Sequence, residues 1–190
     1  KRLKVEHGDT VYVDTGIYSR STPLALSIPS ASATNYLVIQ GSTNEAAGGS
    51  IFTNSSGSGA VLDLQSVRML DVRDLRLRGG RQGLLFTQSS SNIITRVRAE
   101  GNLWHGFELG TMSDQNRFIQ CAALNFSKTG FLVETFLSQP ATNYWGSGVI
   151  ASVPVSSNGT VVATGALMGA QSGRIYVSNS VFVSRSSGHI

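Results

Sequence analysis

The sequence has little of what helical, disulfide-bonded or membrane proteins are built from. Cys121 is the single cysteine, so no intrachain disulfide framework holds the fold together, and its apolar strand context beside Phe118 and Ala123 favours a core hydrophobe over a nucleophile. No apolar run approaches the roughly 20 residues of a membrane span. No sustained helical period is present either. The fold therefore has to be built from short strands and turns.

Charge is also scarce, since only 14% of the residues are Asp, Glu, Lys or Arg. The 15 Lys+Arg and 11 Asp+Glu leave a formal net charge of +4 without any basic block. Nucleic acid is therefore not the expected partner. A moderate positive field suits an anionic polysaccharide, such as a uronan or a sulfated glycan, although an ordinary basic surface would give the same net charge.

A repeat of about two dozen residues is the main signal in the sequence. Gly-Leu-Leu-Phe at 83–86, Gly-Phe-Glu-Leu at 106–109 and Gly-Phe-Leu-Val at 130–133 follow one another at this spacing, and Leu-Asp-Leu at 62–64 fits one coil earlier. A second series, at 72–77, 94–99 and 118–123, falls between them with nearly the same spacing. Apolar and polar residues alternate within each segment, which is the period of a strand with one buried face.

Each segment of the second series contains one residue that is out of phase, namely Asp74, Arg96 or Gln120, which indicates a corner between two strands. Asn92 and Asn116 lie one coil apart and predict an amide ladder at a bend. A β-sandwich would also have short strands, but it would not keep equivalent residues in register over consecutive turns. The predicted fold is all-β, a right-handed single-stranded parallel β-helix with about 22–24 residues per coil.

We expect a single β-helix domain over 1–190. Regular coils are predicted over 8–134, a long loop excursion over 135–172 and a return to a coil over 173–190. The last coil has no evident cap, so the sequence predicts further coils or a further domain of the same chain.

The stretch GDTVYVDTGIY at 8–18 resembles the segment that opens many proteins of the pectate-lyase-like right-handed parallel β-helix superfamily, and 116–131 is similar to a typical coil of that superfamily. The resemblance implies an extracellular, polysaccharide-associated protein that is secreted or held at the cell surface. It fixes no single activity, because lyases, glycoside hydrolases, uronan epimerases, phage tailspikes and non-catalytic surface proteins share the fold.

Two catalytic signatures of that superfamily are missing. Polygalacturonase-like hydrolases have Asn-Thr-Asp-Gly before a strand and a paired Asp-Asp on the next coil, where this chain has Leu-Trp-His-Gly at 103–106 and Ser-Lys-Thr-Gly at 127–130. Pectate lyases cluster acidic residues around Ca²⁺, and no convincing cluster of that kind is present. We therefore predict no cofactor and no metal ligand, with Ca²⁺ left as an open alternative.

Residues at equivalent positions of neighbouring coils are expected about 4.8 Å apart, so the repeat predicts which outer side chains are neighbours. Arg81, Trp104 and Lys128 form one outward row, beside Gln82, His105 and Thr129. The strand that follows presents Asp63, Leu85, Glu108 and Leu132. Arg76 and Arg98 stack on the preceding strand, which ends in Arg78 and Glu100.

These rows predict a groove for an acidic polymer. Candidate catalytic residues for elimination are His105, Lys128, Arg81 and Glu108, because a cation acidifies the proton next to a uronate carboxylate and a base then removes it. Candidate substrate-binding residues are Trp104, Arg76, Arg98, Arg78, Glu100 and Asp63.

Alternatives remain open at this stage. The arginines could be a solvated face, and Trp104 could lie under the 135–172 segment. His105, beside a glycine turn, has the pattern of a surface histidine. Two classes of function therefore remain. The chain is an enzyme, namely a polysaccharide lyase, a glycoside hydrolase or an epimerase, or it is a non-catalytic carbohydrate-binding, structural or adhesion module.

Overall fold

A computed structural model of the chain describes residues 5–28, 34–110 and 112–133, together with the backbone of five further short strands. The strands follow one another in groups of three, and each group is one coil. The first three coils are β1 (Thr10–Tyr12), β2 (Gly16–Arg20), β3 (Leu24–Leu26); β4 (Leu37–Gln40), β5 (Ser50–Asn54), β6 (Leu62–Gln65); and β7 (Leu70–Arg73), β8 (Leu75–Gly79), β9 (Gln82–Thr87). The next two are β10 (Ile93–Thr95), β11 (Arg98–Glu100), β12 (His105–Leu109); and β13 (Arg117–Ile119), β14 (Ala122–Leu124), β15 (Thr129–Val133).

The remaining strands continue the same succession. They are β16 (Tyr144–Trp145), β17 (Ile150–Ser152), β18 (Thr164–Met168), β19 (Tyr176–Val177) and β20 (Val181–Phe182). Three of them lie within 135–172, and the rest of the predicted excursion lies outside the described residues. Within the described ranges, the one helix is a short 3-10 turn, η1 (Glu45–Ala47).

The strands form three parallel sheets that run along the axis of a solenoid. Sheet A contains the first strand of every coil, sheet B the second and sheet C the third. Every strand pair is parallel, so each coil bonds to the coils before and after it. The predicted parallel β-helix is confirmed.

Coil length follows the prediction in the middle of the solenoid and exceeds it at the start. In sheet A, Asp71 pairs with Ile93 and Ile93 with Arg117, so these coils have the predicted length. Thr10 pairs with Val38 and Val38 with Asp71, which makes the first two coils longer. The longer coils carry extra residues between strands, including η1, while the strands themselves stay in register.

The core is a set of stacked apolar layers. Leu84, Phe107 and Phe131 are partners on adjacent strands of sheet C, and all three are fully buried. The rings of Phe107 and Phe131 stack with centroids 4.6 Å apart. Cys121 is a free, buried cysteine, and burial raises the pKa of its thiol to about 12. Its predicted role as a core hydrophobe is confirmed.

The corner between sheets A and B has the geometry that the sequence predicted. Asp74, Arg96 and Gln120 adopt left-handed backbone angles, with φ of 56°, 50° and 53°. A left-handed residue breaks the strand and turns the chain without adding a loop. One such residue per coil therefore starts the next strand, which is why each was out of phase in the sequence.

Small residues let sheets B and C approach each other at the opposite corner. A Cβ atom added at Gly106 would lie 2.5 Å from the Cβ of Ala123 and 2.8 Å from the carbonyl oxygen of Gly130. Gly83 has the same relation to Ala99, at 2.6 Å. The glycine near the start of β9 and of β12 is therefore required by packing, because a side chain there would collide with sheet B.

The predicted amide ladder is confirmed at the bend before sheet A. The side-chain amide of Asn92 donates to Oδ1 of Asn116 at 2.9 Å, and Asn92 Oδ1 accepts from the backbone N–H of Leu70 at 3.0 Å. The Asn116 amide donates to the carbonyl of Ser89 at 2.9 Å. Both asparagines are fully buried. They supply the hydrogen bonds that the backbone cannot make at this bend.

We expect Asn92→Ala to lower the free energy of unfolding by about 2 kcal/mol, because it leaves the buried N–H of Leu70 without an acceptor. The measurement is denaturant unfolding. Asn125→Gly is the control: it removes an exposed amide at a position whose φ of 58° glycine accepts. Equal effects of the two substitutions would contradict a structural role for the ladder.

Candidate functional site

Three successive coils place Arg81, Trp104 and Lys128 in a row just before the strands of sheet C. The backbone N–H of Trp104 donates to the carbonyl of Arg81 at 2.8 Å, and that of Lys128 donates to the carbonyl of Trp104 at 2.8 Å. These hydrogen bonds fix the three Cα atoms in one line along the solenoid axis. We call this row the cationic ridge.

The indole of Trp104 lies between the two cations. Cζ of Arg81 is 3.3 Å from the ring centroid, and Nζ of Lys128 is 3.7 Å from it. Two groups so close to one centroid have to lie on opposite faces of the ring. Each cation–π contact at an exposed site contributes about 0.5–1 kcal/mol, so the ring favours this placement of both long side chains.

The ridge alters how Trp104 could meet a sugar. Both faces of its indole are covered by cations, so only the ring edge is open unless Arg81 or Lys128 moves. The predicted packing of Trp104 against a sugar stays a prediction and now requires displacement of one cation. The ridge offers two adjacent positive charges more directly than it offers an aromatic platform.

His105 lies next to the ridge, and the surface position expected for it is wrong. Its side chain is packed between its strand partners Gln82 and Thr129, and only 8% of the residue is exposed. Burial, together with the nearby charges of Lys128 and Arg81, lowers the pKa of His105 to about 4. The imidazole is therefore neutral at neutral pH, and its Nδ1 has no hydrogen-bond partner among the described residues.

A carboxylate lies beside this imidazole. Oε2 of Glu108 is 3.9 Å from Nε2 of His105 and accepts a hydrogen bond of 2.9 Å from the Gln82 side-chain amide. With His105 neutral, the contact between histidine and glutamate is not a salt bridge. Gln82 lies at the position of His105 one coil earlier, but the repeat alone did not reveal that its amide reaches Glu108.

The row predicted to face outward on the sheet C strands has the predicted register, but Glu108 is buried, with 9% of the residue exposed. Asp63, Leu85, Glu108 and Leu132 are successive partners. Asp63 and Glu108 are therefore two strand spacings apart, about 9.6 Å, which is at the upper limit for a water-mediated pair of hydrolytic carboxylates. Oδ2 of Asp63 accepts from Gln65 at 2.7 Å. This spacing does not favour hydrolysis.

The four predicted residues of sheet B form a separate cluster around Glu100. Nη2 of Arg76 lies 3.0 Å from Glu100 Oε2, Nη2 of Arg78 lies 3.1 Å from the same oxygen, and Nε of Arg98 lies 3.3 Å from Oε1. Burial opposes ionisation of Glu100, but the hydrogen bonds from Arg76 and Arg78 outweigh it and lower the pKa. The stacked arginines thus have the carboxylate partner that like charges require.

The predicted site residues therefore divide between two sheets. His105, Lys128, Arg81, Glu108, Trp104 and Asp63 belong to sheet C and the turn before it, and Arg76, Arg78, Arg98 and Glu100 belong to sheet B. Within the described ranges, no group of three or more His, Cys, Asp or Glu side chains could hold a metal ion. The described residues also contain no helix with the length and apolar character needed to span a membrane.

Comparison with known proteins gives a weak structural likeness. No protein-family profile matches the sequence, and no curated protein matches it either. Among solved structures, the chain is similar to an alginate lyase from Paenibacillus sp. str. FPU-7, with 13% sequence identity, a TM-score of 0.35 and coverage of 92% of this chain and 93% of that chain. At that TM-score the two chains superpose poorly, so the assignment of a parallel β-helix rests on the three sheets described above.

Proposed function

We propose that the chain binds an acidic polysaccharide along the outer face of sheet C, in an extracellular setting. The observation that supports this most directly is the cationic ridge, in which Trp104 contacts both Arg81 and Lys128 and favours one placement of each. Preorganised cations lose little side-chain entropy when they bind a carboxylate, so more of the electrostatic attraction remains as affinity. An unsupported surface lysine or arginine lacks that advantage.

The arrangement of the face suits a polymer better than a small ligand. The ridge and the neighbouring row of outward residues follow the solenoid axis, and successive coils are about 4.8 Å apart. Each coil can therefore contact a different part of one extended chain. Leu85 and Leu132, both half-buried, add apolar surface beside the charges. A repeating ligand would meet a repeating surface.

The same face contains the groups that β-elimination requires. Lys128 or Arg81 would neutralise the carboxylate of a uronate and thereby acidify the proton on C5. The neutral imidazole of His105 would remove that proton, and the electron pair of the C–H bond would form the double bond between C4 and C5. The C4–O bond would break, and the imidazolium would return the proton to the departing glycosidic oxygen. Glu108 would position and stabilise the imidazolium.

One observation favours the alternative of a non-catalytic binding module. His105 is only 8% exposed, so a substrate proton cannot reach its ring unless neighbouring side chains move. The ridge would bind carboxylates without any such movement. Binding and elimination therefore make separate predictions.

For binding, we expect Lys128→Gln to weaken the affinity for polygalacturonate or alginate about tenfold, because a charge-assisted hydrogen bond contributes about 1.5 kcal/mol. Trp104→Ala should weaken it at least as much, since both cations lose their support. Titration calorimetry at fixed salt is the measurement. Arg20→Gln, which removes an exposed cation on β2, should change nothing. If Lys128→Gln and Arg20→Gln bind the polysaccharide equally well, or if the wild type binds double-stranded DNA as tightly as the polysaccharide, the ridge is not a polysaccharide site.

For elimination, we expect kcat/KM to stay level from about pH 8 to about pH 5 and to fall as pH is lowered through about 4, because His105 acts in its neutral form. The ultraviolet absorbance of unsaturated uronate products is the measurement. His105→Gln should reduce the rate at least about 100-fold with an unchanged circular dichroism spectrum. A midpoint of the pH profile near 6.5 would refute this role for His105. If the wild-type chain is inactive on a panel of uronans, elimination is ruled out and the non-catalytic binding module is the remaining proposal.

A further inference from the structure

A cleft of about 210 Å³ opens on the outer side of sheet B, away from every residue of the cationic ridge. Its walls are the turn that contains η1 and the start of strands β8 and β11, and its charged residues are Glu45, Asp74, Arg76, Arg96 and Arg98. A water molecule takes up about 30 Å³ of liquid, so the cleft has room for about seven waters. That space suits one sugar unit rather than a length of polymer.

Positive charge exceeds negative charge around the cleft. Arg96 is engaged by Asp74, with Nε to Oδ1 at 2.6 Å and Nη2 to Oδ2 at 2.8 Å. Glu100 is shared by Arg76 and two further arginines, as described above. Four guanidinium groups, those of Arg76, Arg78, Arg96 and Arg98, thus face three carboxylates, those of Glu45, Asp74 and Glu100. The cleft has one positive charge in excess, and two if Glu45 moves out.

Arg76 has donor capacity to spare. Its Nε is buried and has no hydrogen-bond partner among the described residues, and its Nη1 reaches only the carbonyl of Gly48, at 3.4 Å. A buried N–H without an acceptor is unfavourable. An oxyanion that entered the cleft would satisfy it once the Arg76 side chain shifts to expose Nε, and the planar fork of an arginine matches a carboxylate better than it matches a single acceptor atom.

Glu45 has the features of a displaceable internal ligand. It lies in η1, its side chain is 67% exposed, and its Oε2 is 3.4 Å from Nη1 of Arg98. An ion pair that is so exposed and so long contributes little, so an external carboxylate can replace it at small cost. The other two carboxylates of the cluster are held by at least two hydrogen bonds each.

We propose that this cleft is a second saccharide site, which binds the carboxylate of a single sugar acid through Arg76 and Arg98 when Glu45 is displaced. The proposal rests on the proposed function for the class of ligand, and it adds a separate site on a different sheet. A chain with sites on sheets B and C can contact two polymer strands, or two parts of one strand.

The test is a titration of the full chain with sodium galacturonate, followed by NMR of the arginine Nε–H signals. Glu45→Gln should bind three- to tenfold more tightly than the wild type, because the competing carboxylate is gone. Arg98→Gln should bind galacturonate at least tenfold more weakly than the wild type. Arg98→Lys, which retains the charge but lacks the planar guanidinium, should have an affinity between those of Arg98→Gln and the wild type. The thermal midpoint of each variant checks that it is folded. Unchanged or weaker binding by Glu45→Gln, or unchanged binding by Arg98→Gln, would overturn the proposal.

Two further arms separate this proposal from the proposed function. Lys128→Gln should leave galacturonate binding at the cleft unchanged while it weakens binding of the polymer. If Arg98→Gln binds both ligands normally and Lys128→Gln does not bind the polymer, the ridge stands and the cleft fails. If a sulfated monosaccharide binds at the cleft and galacturonate does not, the assignment to sugar carboxylates is wrong.

Discussion

Parallel backbone hydrogen bonding between successive coils determines the position of nearly every other feature in this protein. Because each strand bonds to its equivalent in the next coil, side chains one coil apart in the sequence become immediate neighbours in space. Inside, this alignment stacks Phe107 on Phe131. Outside, it places Arg81 and Lys128 on the two faces of Trp104. The core and the candidate site thus have the same cause.

Much of this arrangement could be predicted from the sequence, because the repeat has strict local requirements. Gly83 and Gly106 cannot carry a side chain, since a Cβ atom there would collide with Ala99 or Ala123. Left-handed residues likewise stand at the corner between sheets A and B in the coils that begin with β7, β10 and β13. Those requirements leave a visible pattern in the sequence. Because equivalent positions are one coil length apart in the sequence, the pattern predicts which outward residues are neighbours, including those of the ridge.

The details of the candidate sites could not be predicted in the same way. The burial of His105 depends on how side chains pack over the turn, and alternation along the strand gives only its direction. The pairing of Arg96 with Asp74 joins two corner residues that the sequence marked only as breaks in the strand pattern. Glu45 was missed altogether, because it lies on an insertion in one of the longer coils, where no repeat indicates a neighbour.

The unequal coil lengths have a consequence for how such a protein can change. The long coils at the start of the solenoid stack in register with the shorter ones that follow. The extra residues therefore lie in the connections between strands and do not disturb the strands. Insertions in these connections, such as the one that contains Glu45, are therefore expected to cost little stability. In this architecture the strands determine the stability of the fold, while the connections between them can change to bind a new ligand.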